Sequence, residues 1–218
     1  FGSGSSVKSR LLLDAMDLLV LYSPIDISRQ HLDQTAVGLR RDYPALRIEP
    51  VCADYMQPVG LPAIAGDAPK LGFFPGSTIG NLEPQEAETF LKRARRLLGD
   101  DGALVLGVDL KKDPRRLHDA YNDAAGVTAQ FTLNLLVRAN RELEATFDLA
   151  AFAHEAFYNS AEGRIEIYIT SLARQAAHVA GRRFDFAEGE RIHAEYSHKY
   201  DAADIAALAR TGGFKVDE

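Results

Sequence analysis

Phe1-Gly2-Ser3-Gly4-Ser5-Ser6-Val7-Lys8-Ser9-Arg10 runs straight into Leu11-Leu12-Leu13-Asp14-Ala15-Met16-Asp17-Leu18-Leu19-Val20, an apolar stretch compatible with a helix. A glycine pair opening a helix lets the chain turn tightly and lets a ligand approach the main chain. The free N–H groups and the positive end of the helix dipole then face that ligand. An open α/β sheet holds a nucleotide-like ligand in this way after its first strand. Taken alone, the same run is also what a plain flexible loop looks like. The rest of the chain decides between the two.

Downstream, strand and helix patterns alternate. A helix is expected over 9–19, and Val20 to Asp26 reads as a short strand ending in an acid. Ser28 caps a helix carrying Leu32, Ala36 and Leu39. Leu46 to Asp54 is a second strand ending in an acid, and Lys70 to Ser77 is a third strand. Pro84 to Leu98 is a helix with Ala87, Phe90, Leu91, Ala94, Leu97 and Leu98 near helical period, closed by Gly99. Ala103 to Asp109 is a fourth strand, apolar until its terminal acid, as a strand buried on both faces should be. Such alternation predicts a parallel, doubly wound sheet, with ligands beyond the carboxyl ends of its strands. The glycine loop, Asp26, Asp54, the loop from Gly76 to Asn81 and Asp109 all fall at those ends. The strand that should precede Phe1 is expected to lie outside this chain.

The rhythm changes after Asp109. Residues 111–141 look helical, entered at Asp113-Pro114, with Ala120, Tyr121 and Ala124 on one face. Residues 145–159 are ambiguous. Arg164 to Ser171 alternates as a half-exposed strand, Arg182 to Phe186 is another candidate, and Gly189 to Tyr200 looks extended. Asp201 caps a final helix ending at Gly212-Gly213, and Phe214 to Glu218 starts like a further strand. The expected organisation is a core of residues 1–110 plus 198–218 and an inserted α+β substrate-binding domain over 111–197.

With 218 residues and 46% hydrophobic content, one domain with a large insertion is a natural size. A net charge of −6, with acids and bases interspersed, argues against nucleic-acid binding. Cys52 is the single cysteine, which excludes an internal disulfide framework and fits a cytoplasmic setting. No run reaches the ~18 apolar residues a membrane helix needs. A small molecule is therefore the expected partner, with no nucleic acid and no membrane, and the chain is expected to act as a monomer.

A full dinucleotide fingerprint wants a small residue at position 7. Val7 would hinder the close helix–strand packing of nicotinamide-binding folds, so the loop leans toward S-adenosylmethionine (SAM). Asp26, beside the loop, could accept from both hydroxyls of a ribose. Asp54 could take an adenine amino group and Tyr55 could cover the ring; an ordinary Asp-Tyr turn is the alternative. Lys8, in the first helical turn, could meet a carboxylate or lie on the surface. Phe74-Pro-Gly-Ser-Thr-Ile-Gly-Asn-Leu-Glu-Pro84 is dense in glycine and proline and should hold one geometry. Its Asn81 offers both a donor and an acceptor, and could instead be a local cap. His193-Ala-Glu195-Tyr-Ser197-His198 suggests a metal site, but alternate residues of a strand share a face. His193, Glu195 and Ser197 would point together and His198 away, so no metal is expected. Glu195 and Ser197 fit better as a polar pair reading a small substrate. Lys111, Lys112, Arg115 and Arg116 read as a solvated helix face.

Taken together, Gly-Ser-Gly-Ser-Ser-Val-Lys-Ser-Arg-Leu-Leu-Leu, Pro-Gly-Ser-Thr-Ile-Gly-Asn-Leu, Gly-Val-Asp-Leu-Lys-Lys-Asp, Ala-Tyr-Asn-Asp-Ala-Ala-Gly-Val-Thr-Ala, Asn-Leu-Leu-Val-Arg-Ala-Asn-Arg-Glu-Leu and Ile-His-Ala-Glu-Tyr-Ser-His-Lys-Tyr run in order along the chain. This set resembles the histidine-specific, SAM-dependent methyltransferases of ergothioneine biosynthesis. The resemblance implies a Rossmann-like SAM-dependent methyltransferase sheet. It puts Gly2, Gly4, Lys8, Asp26, Asp54 and Tyr55 on SAM-binding positions, with Gly76 near SAM. It puts Asn81 and Tyr121 on the substrate's amino-acid backbone, where they are also the candidate catalytic pair. Glu195 and Ser197 fall on the imidazole ring. It implies SAM as co-substrate without a metal, and three successive methylations of the α-amino group of L-histidine to hercynine. It also implies that the family's N-terminal tyrosines, first strand and a C-terminal strand lie outside this chain.

Three other functions compete. One is the same chemistry on another amino acid such as tryptophan; Glu195 with Ser197 favours imidazole, since an indole needs only one polar partner. Another is a nicotinamide oxidoreductase, opposed by Val7 and by the lack of a Tyr-x-x-x-Lys pair. The third is a non-catalytic SAM-binding protein.

Overall fold

The computed structural model describes residues 1–4, 6–66 and 68–217; Ser5 of the glycine loop and Glu218 of the terminal run lie outside the described residues. The chain divides into two compact units, Phe1–Val108 with Ala202–Glu218, and Asp109–Asp201.

The first unit is built on parallel pairing carried in short pieces. β1 (Leu21–Tyr22) pairs with β3 (Arg47–Ile48), β2 (Ile25–Asp26) with β4 (Val51–Cys52), and β5 (Leu71–Phe74) with β6 (Ala103–Leu106). The strands expected over 20–26 and 46–54 are each broken in two. Pro24 and Pro50 stand at the breaks, and proline has no N–H to give to a ladder. The opening residues lie between the two halves of the sheet. The Phe1 backbone nitrogen donates to the Phe73 carbonyl at 2.8 Å, and Ser3 N donates to the Ile25 carbonyl at 3.2 Å. Residues 1–3 thus link β2 on one side to β5 on the other. β6 departs from expectation: Ala103 and Val105 are exposed, and β6 pairs with β5 alone among the described residues.

Helices cover this sheet. α1 (Val7–Asp14) is shorter than the expected 9–19, and Leu18 beyond it is 94% exposed, with no core to hold a further turn. α2 (Arg29–Asp42) buries Leu32, Ala36 and Leu39. α3 (Pro84–Leu98) starts with the Glu86 carboxylate accepting from Glu83 N at 2.9 Å, a reciprocal cap. It buries Ala87, Phe90, Leu91, Ala94 and Leu98, while Leu97 is half-buried. The Phe90 ring meets Phe74 at 4.5 Å, Phe1 at 5.3 Å and Tyr55 at 5.7 Å between centroids. α6 (Ala202–Thr211) packs on α3 and ends at Gly212, where a Cβ would stand 2.4 Å from the Leu91 Cβ. No side chain fits there. Residues 214–217 form no strand.

The second unit is α+β. Residues 111–141 form two helices, α4 (Pro114–Tyr121) and α5 (Val127–Glu142). Asp113 Oδ1 caps α4 by accepting from Arg115 N and Arg116 N. Asp123 caps α5 by accepting from Val127 N and Thr128 N, after Gly126 turns with φ 67°. That turn breaks the expected single helix. It removes Ala124 from the helical face, and Leu117 rather than Ala120 is the buried residue of α4.

β7 (Phe152–Asn159), β8 (Arg164–Ser171) and β11 (Arg191–His198) form an antiparallel sheet in the order β11–β8–β7, and β9 (Gln175–Val179) pairs with β10 (Arg182–Phe186). β8 is central and largely buried rather than half-exposed. Ile165 and Ile167 pack with Leu117 of α4, and Ile169 packs with Leu136 of α5. The reverse face is polar: the buried Glu166 carboxylate accepts from Asn159 Nδ2, Arg164 Nε and Tyr168 Oη. The two ends of this unit are clasped together. Tyr200 N donates to the Asp109 carbonyl and Lys111 N to the Tyr200 carbonyl, both at 2.9 Å, and Lys111 pairs with Asp201.

Replacing Phe90 by Ala removes the centre of the aromatic cluster. Urea unfolding should show a loss of about 3–5 kcal/mol, the usual cost of emptying a buried phenylalanine site. A loss below ~1 kcal/mol would mean that the first unit does not depend on this cluster.

Candidate active site

The glycine loop occupies one edge of the first unit. Gly2 and Gly4 have φ of 61° and 46°, in the left-handed region where glycine is at ease. Gly4 N donates to Asp26 Oδ2 at 3.2 Å, and Ser28 N to Asp26 Oδ1 at 3.0 Å. Each Asp26 oxygen thus accepts one backbone N–H and keeps a second lone pair for a ligand. A Cβ on Gly2 would stand 3.7 Å from the Tyr55 ring, and one on Gly76 would stand 3.0 Å from Lys8 Nζ. Gly2, Gly4, Lys8, Asp26, Tyr55 and Gly76 are therefore neighbours, although they span 75 positions of sequence. At Gly2 a side chain would meet Tyr55 at ordinary contact distance, so the positive φ rather than lack of space favours glycine there, whereas at Gly76 the positive φ of 77° adds to the close approach of Lys8.

Some expectations change in detail. Asp54 sits in a tight turn, its Oδ1 accepting from Met56 N at 2.8 Å, and its Oδ2 accepts no hydrogen bond among the described residues. The Tyr55 ring packs edge-on against Phe74 and Phe90, and burial with the nearby Asp54 and Asp26 carboxylates pushes its hydroxyl up. Val7 is 63% exposed rather than packed, so its size says nothing about which nucleotide the loop could take. Ser6, just before α1, and Ser9 and Leu13 within it are buried instead. A cavity of about 650 Å³ adjoins Tyr55, between α3 and residues 57–66. It is lined by Phe1, Phe90 and Leu97 among others and touches neither Gly4, Lys8 nor Asp26.

The second constellation lies in the second unit. Tyr121 Oη and Ser197 Oγ are 2.9 Å apart. Between them stands Lys199, a residue the sequence motifs did not single out. Its ammonium donates to Tyr121 Oη at 2.8 Å and to Ser197 Oγ at 2.8 Å, and pairs with Asp109 Oδ2 at 3.0 Å. The Lys199 side chain is 0% exposed. His154 Nε2 lies 2.8 Å from the Tyr121 carbonyl, which fixes an N–H on that nitrogen.

Asp109 is not a strand-end ligand group: β6 stops at Leu106, and the Asp109 carboxylate is held by Lys112 and Lys199. Burial pushes that carboxyl up, but the two lysine hydrogen bonds outweigh burial and hold it below the usual range. Lys111 and Lys112 are accordingly ion-paired rather than part of a free basic face.

β11 carries an irregularity that the sequence does not announce. His193 pairs with Tyr168 but Glu195 pairs with Ile167, leaving Ala194 extra. Such a bulge shifts the alternation by one residue. Cross-strand partners share a face, so Glu195 and Ser197, opposite Ile167 and Ile165, lie on the face that packs against α4 and α5. His193 lies on the reverse face with Tyr196, their rings 3.9 Å apart. The expected grouping of His193 with Glu195 and Ser197 is thus overturned, while His198 and Tyr196 do point away. Glu195 is half-buried and accepts no hydrogen bond among the described residues. Burial pushes its carboxyl up, more than the Lys199 and His193 charges pull it down. Asn81 belongs to the first unit, exposed at the end of a turn (Thr78–Asn81) whose Ile79 and Gly80 are buried, and its side chain makes no hydrogen bond among the described residues. It does not cap α3, a task taken by Glu83.

The whole chain, residues 1–218, matches the family model described as histidine-specific methyltransferase, SAM-dependent. The chain belongs to this family. It is similar to the histidine N-alpha-methyltransferase of Mycolicibacterium smegmatis, 42% identical over 97% of this chain and 67% of that protein. The histidine N-alpha-methyltransferase of Mycobacterium tuberculosis is 40% identical over 99% of this chain and 68% of its own length. The ergothioneine biosynthesis protein 1 of Neurospora crassa is 29% identical over 98% of this chain, which covers 25% of that larger protein. Membership in a histidine-specific, SAM-dependent methyltransferase family makes this an enzyme of the transferase class with a mixed α/β fold. Among the described residues no helix is long and apolar enough to cross a membrane.

Glu195 supplies a prediction of opposite signs. A carboxyl raised in the folded state favours folding below its ordinary value, about 4.3, and that benefit is lost as pH rises through the raised value. At pH 7 the buried charge therefore costs stability. Glu195→Gln should raise Tm at pH 7, and the difference should close as pH falls below about 4. An unchanged or lower Tm at pH 7, read by scanning calorimetry, would show that the carboxylate is already compensated.

Proposed function

We propose that this chain carries the catalytic core of an L-histidine Nα-methyltransferase, transferring three methyl groups in succession from SAM to give Nα,Nα,Nα-trimethylhistidine (hercynine). The observation that carries this is the half-buried Glu195 carboxylate, without a hydrogen-bond partner among the described residues, on the same strand face as Ser197 and its partner Tyr121. A carboxylate kept unpaired and partly out of water is poised for an N–H donor. A hydroxyl two residues along the same face suits the other nitrogen of an imidazole. An indole would use one of the two.

The first unit would be the SAM-binding core and the unit Asp109–Asp201 the inserted substrate-binding domain. The glycine edge fits SAM: Asp26 keeps lone pairs for ribose hydroxyls, Lys8 offers an ammonium for a carboxylate, and Gly76 leaves Lys8 that space. SAM supplies an electrophilic methyl group on a sulfonium. The protein's part is to present the α-amino nitrogen as a neutral amine, its lone pair aimed at that methyl within a near-attack distance of ~3–3.5 Å. An α-amino group loses its proton near pH 8, so a strong base is unnecessary. Asn81 and the Tyr121 oxygen would hold the amine, which would give its proton to solvent before attack. Glu195 would accept from one ring N–H and Ser197 would bond the other nitrogen.

Calorimetric titration with L-histidine in the presence of S-adenosylhomocysteine, with L-tryptophan as control, tests the assignment. Histidine should bind selectively. Glu195→Ala should weaken it about tenfold or more, the cost of leaving a buried donor unpaired. Histidine affinity unchanged in Glu195→Ala would sink the imidazole assignment. For the other half of the site, Gly76→Ala should weaken S-adenosylhomocysteine several-fold, since its Cβ would crowd Lys8 at a backbone φ of 77°. Unchanged affinity would mean that the nucleotide does not use this corner.

A further inference from the structure

Lys199 does more than neutralise Asp109. Its ammonium has three hydrogens and three acceptors within reach: Asp109 Oδ2 at 3.0 Å, Tyr121 Oη at 2.8 Å and Ser197 Oγ at 2.8 Å. Every donor is used, and the group has no acceptor capacity. The two hydroxyls carry one hydrogen each, and at 2.9 Å one of those hydrogens lies between them. A phenol is the stronger donor and an alcohol oxygen the stronger acceptor, so Tyr121 donates to Ser197. Both lone pairs of Ser197 Oγ are then filled, one by Lys199 and one by Tyr121. Its remaining capability is to donate.

We propose that Lys199 is a positioning residue that, with Tyr121, fixes Ser197 as a pure hydrogen-bond donor, so that the site selects a ring with one N–H and one bare nitrogen. This inference rests on the histidine assignment above. Glu195, two residues along the same face, can take the N–H; Ser197 meets the bare nitrogen. The neutral imidazole satisfies both. A ring with N–H at both nitrogens would set a donor against a donor at Ser197.

The probe is a pair of neutral ligands at one pH: L-histidine and its 2-oxo analogue, whose imidazolone ring carries N–H at both nitrogens. Calorimetry in the presence of S-adenosylhomocysteine gives the ratio of their affinities. The unmodified chain should favour histidine about tenfold or more. Lys199→Met removes the donor that fills one Ser197 lone pair, while Asp109 keeps Lys112 at 2.6 Å. The ratio should then narrow several-fold, because Ser197 can accept. In a Ser197→Ala background, Lys199→Met should leave the ratio unchanged, as expected if Lys199 acts through Ser197. Equal weakening of both ligands by Lys199→Met would make Lys199 a structural residue alone and overturn the proposal. If Lys199→Met fails to fold, Tyr121→Phe frees the other Ser197 lone pair and must narrow the ratio likewise; an unchanged ratio there overturns the proposal too. Failure of the unmodified chain to bind either ring would remove the histidine assignment, and this inference with it.

Discussion

An ammonium group sealed from water must have its hydrogens accepted, because stripping its hydration costs several kcal/mol. Lys199 meets that demand with a carboxylate and two hydroxyls from three separate segments: Asp109 where the second unit begins, Tyr121 at the end of α4, and Ser197 on β11. The same demand fixes the segments. Displacing any of the three leaves a hydrogen of a buried ammonium without its acceptor. Glu195, on the same strand face, follows the opposite logic. It is drawn partly out of water with no hydrogen bond among the described residues to compensate it, and its raised carboxyl records the cost. Structural rigidity and an unmet hydrogen-bond capacity thus sit side by side, as binding sites require.

The sequence made the parallel sheet and its glycine edge legible because those features are local. Period, punctuation by glycine and proline, and acids at strand ends are all written over a few residues. The α3 face from Ala87 to Leu98 follows helical period almost residue by residue. What it did not show came from tertiary context. By position Val7 reads as a packing residue, yet it is exposed, since the helix turns Ser9 and Leu13 inward instead. Asp109 looked like a strand-end acid by its position after an apolar run, but two lysines claim it. The bulge at Ala194 has no sequence mark, and a shift of one residue moved His193 to the opposite face from Glu195. Lys199 does carry a signal in the sequence: Glu195, Ser197 and Lys199 follow one alternation, and extending it by one step reaches the buried lysine.

The polar network also explains why the candidate residues fall into two groups of different character. The glycine edge relies on main-chain N–H groups and on positive φ that favours glycine, as at Gly2 and Gly76. The Tyr121 and Ser197 group relies on side chains whose hydrogens are allotted among one another. Glycine edges of the first kind serve many nucleotides with little change. The second kind is selective, because each hydroxyl has few remaining ways to bond.

The clasp between Asp109, Lys111 and Tyr200 has a consequence for descent. A segment whose two ends meet closes its own loop, so a host chain that accepts it bears little entropic penalty for doing so. Asp109–Asp201 can in this sense be treated as a cassette. Exchange of such a piece, or drift confined within it, would leave the parallel strand pairs of the first unit as they are. A fold of this plan can therefore be rebuilt by recombination at two adjoining points, without a wholesale redesign of the sheet that carries them.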